Sequence, residues 1–308
     1  MKQFVENRIK FLALPLIIIV AGIVMYFVHG GFNFDIEFMG GIRMQVDMGQ
    51  DVPNDDISEL VSNVLSENGI DGKVTVQKSG ESGNHVVIKT PPVEESMKDT
   101  IFNELKTQYS LGDEALMSVS SASASFGVEV QQKALLYTLL AIICILIYIA
   151  IRFEWRSAVM AVIALAINVL VMAAVYTITN IPLNTTFIAA MLTVVGYSIN
   201  NTIVIFDRIR ENMKSRKKNI TISELVNRSI LETLGRTINS TITTLITIVA
   251  IYILGVSAIK EFALPLIIGI AIGAYTSIFI ASTFWATWKE ADMKAKAQAA
   301  AERRKSKK

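Results

Sequence analysis

The chain has 308 residues, of which 52% are hydrophobic, and its mean hydropathy is +0.47. This value is far above that of a water-soluble chain of similar length and excludes an ordinary soluble globular protein. The net charge is only +2, and no nucleic-acid partner is expected.

Six stretches approach or exceed the roughly 20 residues that a helix needs to cross a bilayer. They lie near 10–28, 134–151, 157–178, 185–206, 238–256 and 262–285. Pro15 and Pro265 fall inside the first and last spans, where a membrane helix tolerates proline. Gly269 and Gly273 in the last span permit close contact between helices. The sequence therefore predicts an α-helical polytopic membrane protein with six transmembrane helices.

Basic residues are concentrated on one side of these spans. They are Lys2, Arg8 and Lys10, then Arg152 and Arg156 after span two, seven residues between 208 and 228, and eight between 289 and 308. In the two short loops on the other side, Lys260 is the only basic residue. The positive-inside rule therefore places both termini in the cytoplasm. The first apolar run is long for a signal peptide and no A-x-A-like site follows it, so we expect a retained first span.

The large section between spans one and two, residues 30–130, lies on the outer side in this topology. Its predicted elements are a strand at 42–46, a helix capped by Asn54, Asp55 and Asp56, strands at 73–77 and 85–89 joined by a turn over 80–84, a helix opened by Pro91 and Pro92, and a strand near 116–119. The order β-α-β-β-α-β predicts an extracytoplasmic ferredoxin-like α+β domain. The predicted domains are thus 1–29, with the cytoplasmic N-terminus and the first span; 30–130; 131–288, with spans two to six; and a basic cytoplasmic tail, 289–308.

The fourth span carries unusual polar residues near its middle, namely Tyr197, Ser198, Asn200 and Asn201. Carboxamides inside hydrocarbon are costly unless other helices or trapped water satisfy them. Polar groups at this depth indicate a functional site. Hydrogen bonding between helices, with a purely structural role, is the alternative interpretation.

The rest of the chain shows no sign of an enzyme. The only histidines, His29 and His85, have no metal-ligand spacing around them. The single Cys144 lies in an apolar span, so there is no disulfide framework. Neither a Walker pattern nor a nucleophile with its base is present. We therefore expect no enzymatic activity, no cofactor and no metal.

Four segments resemble, in order, the signatures of the SecF family of protein-export membrane proteins. The segment 195–212, VGYSINNTIVIFDRIREN, resembles the fourth-span signature of the family. Residues 36–41, which include Glu37, Gly40 and Gly41, resemble the D-F-x-G-G element after the first span. Residues 236–240 resemble the R-T-I-N stretch that enters span five, and 273–281 resemble the last-span run. The resemblance covers nearly the whole chain apart from the tail.

This resemblance implies a role beside the Sec translocon in a bacterial or archaeal cytoplasmic membrane. SecF pairs with SecD, and the pair resembles the twelve-span plan of RND-type transporters, of which this chain would form half. The pair is thought to use the protonmotive force to pull exported, unfolded polypeptides outward. The implied partners are SecD, the translocon channel, the exported polypeptide and membrane lipid.

Two positions depart from the family pattern. Asn201 stands where the family usually has aspartate, and an amide cannot exchange a proton at physiological pH. A proton relay could then depend on a carboxylate of SecD. Glu37 replaces an aspartate but keeps the charge, so we expect its role to survive.

The resemblance singles out further residues. Arg236 either tunes proton coupling with a partner carboxylate or anchors the helix at the headgroups. Asp207, Arg208 and Glu211 form a cytoplasmic-interface motif, interpreted here as ion pairs that cap the helix end. Gly40 and Gly41 form either a hinge or a static tight turn.

Two other functions stay open at this point. The chain could be a structural subunit that stabilises a SecD–translocon assembly without moving protons, which the amide at Asn201 makes more credible. It could also be an RND-like proton-coupled exporter of small molecules, although six spans and one small outer domain leave little room for a substrate path.

Overall fold

A computed structural model of the chain describes residues 3–72, 74–79, 84–94, 96–152, 154–216 and 220–305. The protein is mostly helical (75%) and divides into two compact units. The helical bundle comprises Met1–Phe32, Tyr137–Ile181 and Thr186–Lys308. The α/β unit comprises Asn33–Leu136 and Pro182–Thr185.

The elements follow one another along the chain with short connections. They are α1 (Arg8–His29), α2 (Ile36–Met39), β1 (Gly41–Asp47), α3 (Asn54–Glu67), β2 (Thr75–Ser79), β3 (His85–Lys89), α4 (Met97–Tyr109), β4 (Leu116–Ala122), α5 (Ala124–Arg152), α6 (Trp155–Thr179), α7 (Thr185–Lys214), α8 (Ile222–Leu254), α9 (Ser257–Thr276) and α10 (Ser282–Lys305). A 3₁₀ turn precedes β4. A π-helical turn, Ser277–Ala281, joins α9 to α10 without a break.

The α/β unit contains an antiparallel four-stranded sheet in the order β2-β3-β1-β4. Ile42, Met44 and Val46 of β1 are fully buried, because alternate residues of a strand point to one face. On that face they pack in one core with apolar residues of α3 and α4, such as Ile57 and Ile101. The order β-α-β-β-α-β that the sequence predicts is therefore present.

Two local predictions for the α/β unit are wrong. α4 begins at Met97 rather than at the prolines, because Thr90 still pairs with β1, its N–H donating to Ile42 O at 2.9 Å. The predicted cap of α3 is absent: the helix follows Pro53 with no side-chain cap bond, and the buried Oδ1 of Asn54 has no partner among the described residues. Most of the predicted turn over 80–84 lies outside the described residues.

The bundle contains the apolar helices. Within the described residues, five helices are long and apolar enough to cross a membrane, and α5 contains a shorter apolar stretch, Leu136–Ile151. α7 extends to Lys214, beyond the predicted end of span four at 206. α8 begins at Ile222, well before the predicted start of span five at 238. Hydropathy marks where hydrocarbon ends, whereas a helix continues as long as its backbone bonds are favourable.

Close packing of α9 depends on its glycines, as the sequence predicted. A Cβ added at Gly269 would overlap with Val194 of α7 and would lie 2.7 Å from Met172 Sδ of α6.

The segment before α1 is also held to the bundle. The backbone N–H groups of Phe4 and Val5 both donate to Asn227 Oδ1 on α8, at 3.0 Å each.

Candidate functional site in the helical bundle

A buried hydrogen-bonded network joins three helices of the bundle. Asn168 on α6, which is fully buried, donates from Nδ2 to Ser198 Oγ on α7 at 2.8 Å. Thr276 Oγ1 at the end of α9 donates to Asn168 Oδ1 at 2.6 Å. One carboxamide therefore uses both of its ends to hold α7 and α9 against α6.

The network continues into the π-helical turn. The hydroxyls of Thr202 and Ser277 are 2.8 Å apart, and Ser277 Oγ donates to the backbone oxygen of Ser198 at 3.2 Å. A Cβ at Gly273 would lie only 3.0 Å from Ser198 Oγ, so a glycine keeps α9 close to α7. Single π turns inside α-helices are rare and frequently mark functional sites.

Sequence reasoning found only part of this network. Ser198 was among the predicted site residues, but Asn168, Thr276 and Ser277 were not given a role. The available signal was Asn168, a lone carboxamide inside an otherwise apolar span. It is the same kind of signal that drew attention to span four.

α7 and α8 run antiparallel, and two contacts fix their register. The Tyr197 hydroxyl donates to the backbone oxygen of Ser240 at 3.1 Å. Further along, Asn212 Nδ2 donates to Ser229 Oγ at 2.9 Å. From Tyr197 to Asn212 the residue number on α7 increases, whereas the number of the contacted residue on α8 falls from Ser240 to Ser229.

This register brings two unsatisfied polar groups to one level. Asn201 is one turn beyond Tyr197, and Thr237 is one turn before Ser240. Both are buried, and Asn201 Nδ2 and Thr237 Oγ1 have no hydrogen-bond partner among the described residues. Buried polar atoms without partners are costly, so these two atoms remain available for hydrogen bonds with water or with another polar group.

The neighbouring residues in sequence face outward. Asn200 and Arg236 are both exposed. Within the part of the chain that the structure describes, Arg236 makes no hydrogen bond or ion pair. The structure thus places Tyr197, Ser198 and Asn201 against other helices, and leaves Asn200 and Arg236 on the bundle surface.

An ion-pair cluster lies where α7 and α8 extend beyond the predicted spans. Arg208 contacts Glu211 at 2.6 Å and Glu232 at 2.7 Å, and Arg228 contacts Glu232 at 2.8 Å. The hydrogen bond from Asn212 and those from the two arginines lower the pKa of Glu232 to about 2. The sequence predicts ion pairing among Asp207, Arg208 and Glu211 at the end of the helix. Arg208 and Glu211 do pair, but α7 continues to Lys214, and Glu232 on the other helix was not identified.

The predicted motif after the first span lies in the α/β unit. Glu37 Oε2 accepts from the backbone N–H of Thr185 at 2.7 Å and from its hydroxyl at 2.5 Å, at the first residue of α7. Gly40 and Gly41 have φ of +82° and +114°. A Cβ at Gly41 would overlap with the backbone oxygen of Thr90. These contacts favour the static turn over the hinge.

The remaining site residue, Asp207, is exposed near the predicted end of span four. Among the described residues, no group of three or more histidine, cysteine, aspartate or glutamate side chains could hold a metal ion.

Comparison with known families matches residues 101–291 to a family described as protein export membrane protein SecD/SecF, C-terminal. This region contains α7, α8 and the polar network, and it is more than half of the chain. The chain belongs to the SecD/SecF family.

Relatives of this SecD/SecF chain include separate and fused proteins. It is 36% identical to the protein translocase subunit SecF of Thermodesulfovibrio yellowstonii, over 91% of this chain and 92% of the relative. It is also 36% identical to the SecF of Alicyclobacillus acidocaldarius, over 90% of this chain and 89% of the relative. The crystal structure of SecDF from Thermus thermophilus, described as a translocon-associated membrane protein, superposes with a TM-score of 0.80 and 31% identity. That match covers 94% of this chain but only 39% of the SecDF chain.

These comparisons support a role for this SecD/SecF membrane protein in Sec protein export. Its homologues are translocase subunits by name. The fused SecDF proteins suggest that the natural partner of this chain is SecD or a SecD-like segment.

Proposed function

We propose that this chain is a SecF subunit that works with SecD to drive late translocation of unfolded polypeptides with the protonmotive force. The observation that carries the proposal is the pair of matches described above. Separate SecF proteins match over nearly their whole length, whereas the fused SecDF chain is matched over 39%. We infer that the unmatched remainder of the SecDF chain is the counterpart of a SecD partner for this chain.

In the proposed architecture, six spans carry both termini in the cytoplasm of a bacterial or archaeal cell, and the α/β unit is an extracytoplasmic ferredoxin-like domain. The element order and the sheet order β2-β3-β1-β4 support that domain type. The concentration of basic residues on one side of the spans supports the orientation.

SecD is proposed to cover the polar face of α7 and α8. The exposed polar side chains of this face are Asn200 on α7 and Arg236, Asn239, Ser240 and Thr243 on α8. Polar and charged groups at membrane depth face a protein interior or a water-filled cavity rather than lipid. A second membrane subunit on this face satisfies that requirement.

Proton coupling in this assembly must rest on a group outside this chain. None of the six predicted spans contains an aspartate or a glutamate. Arg236 stays charged at any physiological pH, so it does not release protons but can lower the pKa of a SecD carboxylate beside it. A proton that crosses a potential of 100 mV releases about 2.3 kcal/mol, enough to bias a domain movement.

The test is export into vesicles that contain this chain, SecD and the translocon, with and without an imposed proton gradient. Arg236→Ala should abolish the gradient-dependent part of export, and Asn201→Ala should weaken it only in part. Asn201→Asp should be tolerated, because a protonated carboxyl is available inside the membrane. Arg8→Ala, at the start of α1, is the matched control. A dead Asn201→Ala beside a normal Arg236→Ala would show that the two roles are reversed.

A structural role without proton coupling is the second candidate. The lack of any carboxylate in the predicted spans favours it, because the chain cannot itself carry a proton by that route. In this case, SecD and the translocon would still require the chain for stable assembly. Export would depend on the chain equally with and without the gradient, and Arg236→Ala would reduce recovery of SecD rather than coupling.

A further inference from the structure

The first membrane helix, α1, contains a backbone carbonyl that the helix itself cannot satisfy. Pro15 lies inside α1 and is buried. Because proline has no N–H, the helix bond that residue 15 would donate to the backbone oxygen of Phe11 cannot form. A free carbonyl is costly in hydrocarbon, and a neighbouring group has to satisfy it. The hydroxyl of Tyr275, on α9, donates to this oxygen at 2.7 Å.

The two parts of α1 on either side of Pro15 pack against different elements. Before the proline, the ring of Phe11 stacks on Phe279 of the π-helical turn, with ring centres 4.6 Å apart and an angle of 20° between the planes. After the proline, α1 packs on α6, where a Cβ added at Gly22 would lie 2.5 Å from the Cβ of Ala174. The backbone bonds of α1 are therefore interrupted at the point where its packing partner changes. Sharp bends in helices occur at such prolines.

We propose that α1 has a hinge at Pro15 and that Tyr275 is the latch of this hinge. The hydrogen bond from Tyr275 holds the segment of α1 before the proline, residues 8–14, against α9 and the π-helical turn. When this bond is released, the segment can move while the part of α1 after the proline stays packed on α6. A hinge of this kind needs only a few residues that absorb the backbone rotation.

Tyr275 is positioned by aromatic packing on one side and by the polar network on the other. Its ring centre lies 5.0 Å from that of Phe279, and the ring of Phe279 lies 5.7 Å from that of Phe4. The residue after Tyr275 is Thr276, whose hydroxyl donates to Asn168 of α6 at 2.6 Å. Two consecutive residues of α9 therefore hold α1 and α6, so the latch lies directly beside the buried polar network.

The test is amide hydrogen exchange of the full chain in lipid nanodiscs, measured separately for residues 8–14 and 19–28 of α1. Tyr275→Phe removes the hydroxyl and keeps the ring. Pro15→Ala restores a backbone N–H that can bond to the oxygen of Phe11, so the hydroxyl is no longer needed. Wild type, the two single variants and the double variant form a double-mutant cycle. Tyr26→Phe is the matched control, because Tyr26 is an exposed tyrosine of α1 whose hydroxyl makes no hydrogen bond in the part of the chain that the structure describes.

We expect Tyr275→Phe to speed exchange of residues 8–14 by about threefold to twentyfold, the effect of losing one interhelical hydrogen bond in a membrane bundle. Exchange of residues 19–28 should stay unchanged. In the Pro15→Ala background the same substitution should have almost no effect, because the helix then satisfies the oxygen of Phe11 itself. Tyr26→Phe should change neither segment.

Two results would overturn the proposal. An equal rise of exchange in both segments of α1 would show a general loosening of the bundle instead of a hinge. An undiminished effect of Tyr275→Phe in the Pro15→Ala background would show that the hydroxyl does not serve the carbonyl freed by the proline. The assay contains neither SecD nor a proton gradient, so its result is independent of the proposed export function.

Discussion

Asn168 offers the sharpest test of how the bundle is held together. Asn168→Leu keeps the branched shape and the number of heavy atoms of the side chain but removes the bonds to Ser198 and Thr276. Both hydroxyls keep another acceptor, the backbone oxygen of Gly273, at 3.5 Å and 3.2 Å. The substitution therefore leaves no hydroxyl orphaned, and its cost is that of two interhelical hydrogen bonds. Such bonds average about 0.6 kcal/mol in membrane bundles, with a maximum near 1.7, so we expect a loss of about 1–3 kcal/mol.

The assay is unfolding of the full chain in mixed micelles, measured as a free energy for each variant. Asn200→Leu is the matched control, because that carboxamide is exposed, and it should change stability by less than about 0.5 kcal/mol. A double-mutant cycle of Asn168→Leu with Ser198→Ala should show a coupling of about 0.6 kcal/mol. Strict additivity in that cycle, or equal losses for Asn168→Leu and Asn200→Leu, would refute the network as a source of stability.

Three further outcomes are expected. In a variant lacking Cys144, a cysteine introduced at Ser66 should react with an impermeant thiol reagent added outside intact cells, and one at Ser215 should not; the reverse pattern would invert the topology. Gly41→Ala should destabilise the α/β unit by about 1–3 kcal/mol, because a side chain is strained at this positive φ, and faster hydrogen exchange of the β1 amides would report it; unchanged exchange would contradict the rigid turn. The lowered pKa of Glu232 stabilises the fold above its ordinary value of 4.5 and ceases to do so as the pH falls toward 2. The stability difference between wild type and Glu232→Gln should therefore shrink with acidification, and a constant difference would contradict the ion cluster.

Several features could be predicted from the sequence because they depend on neighbouring residues. Alternation over 42–46 identified β1, since successive side chains of a strand point to opposite faces. Long apolar stretches identified the membrane helices, since only a helix of about 20 residues satisfies its backbone within hydrocarbon. Gly269 and Gly273 indicated close packing of the last span. Local patterns failed at helix ends, as at Met97, where pairing with β1 delayed the start of α4.

The partners of the buried polar residues were decided by the tertiary structure alone. The sequence showed that Ser198 and Asn201 are polar groups in an apolar span. It could not show that Ser198 meets Asn168, or that Asn201 comes level with Thr237. Those meetings depend on the rotation and register of whole helices, which are set by packing contacts distant in sequence. Hydrophobicity and spacing thus determined which segments are helices in a membrane, while helix packing decided which polar atoms pair and which remain available to a partner.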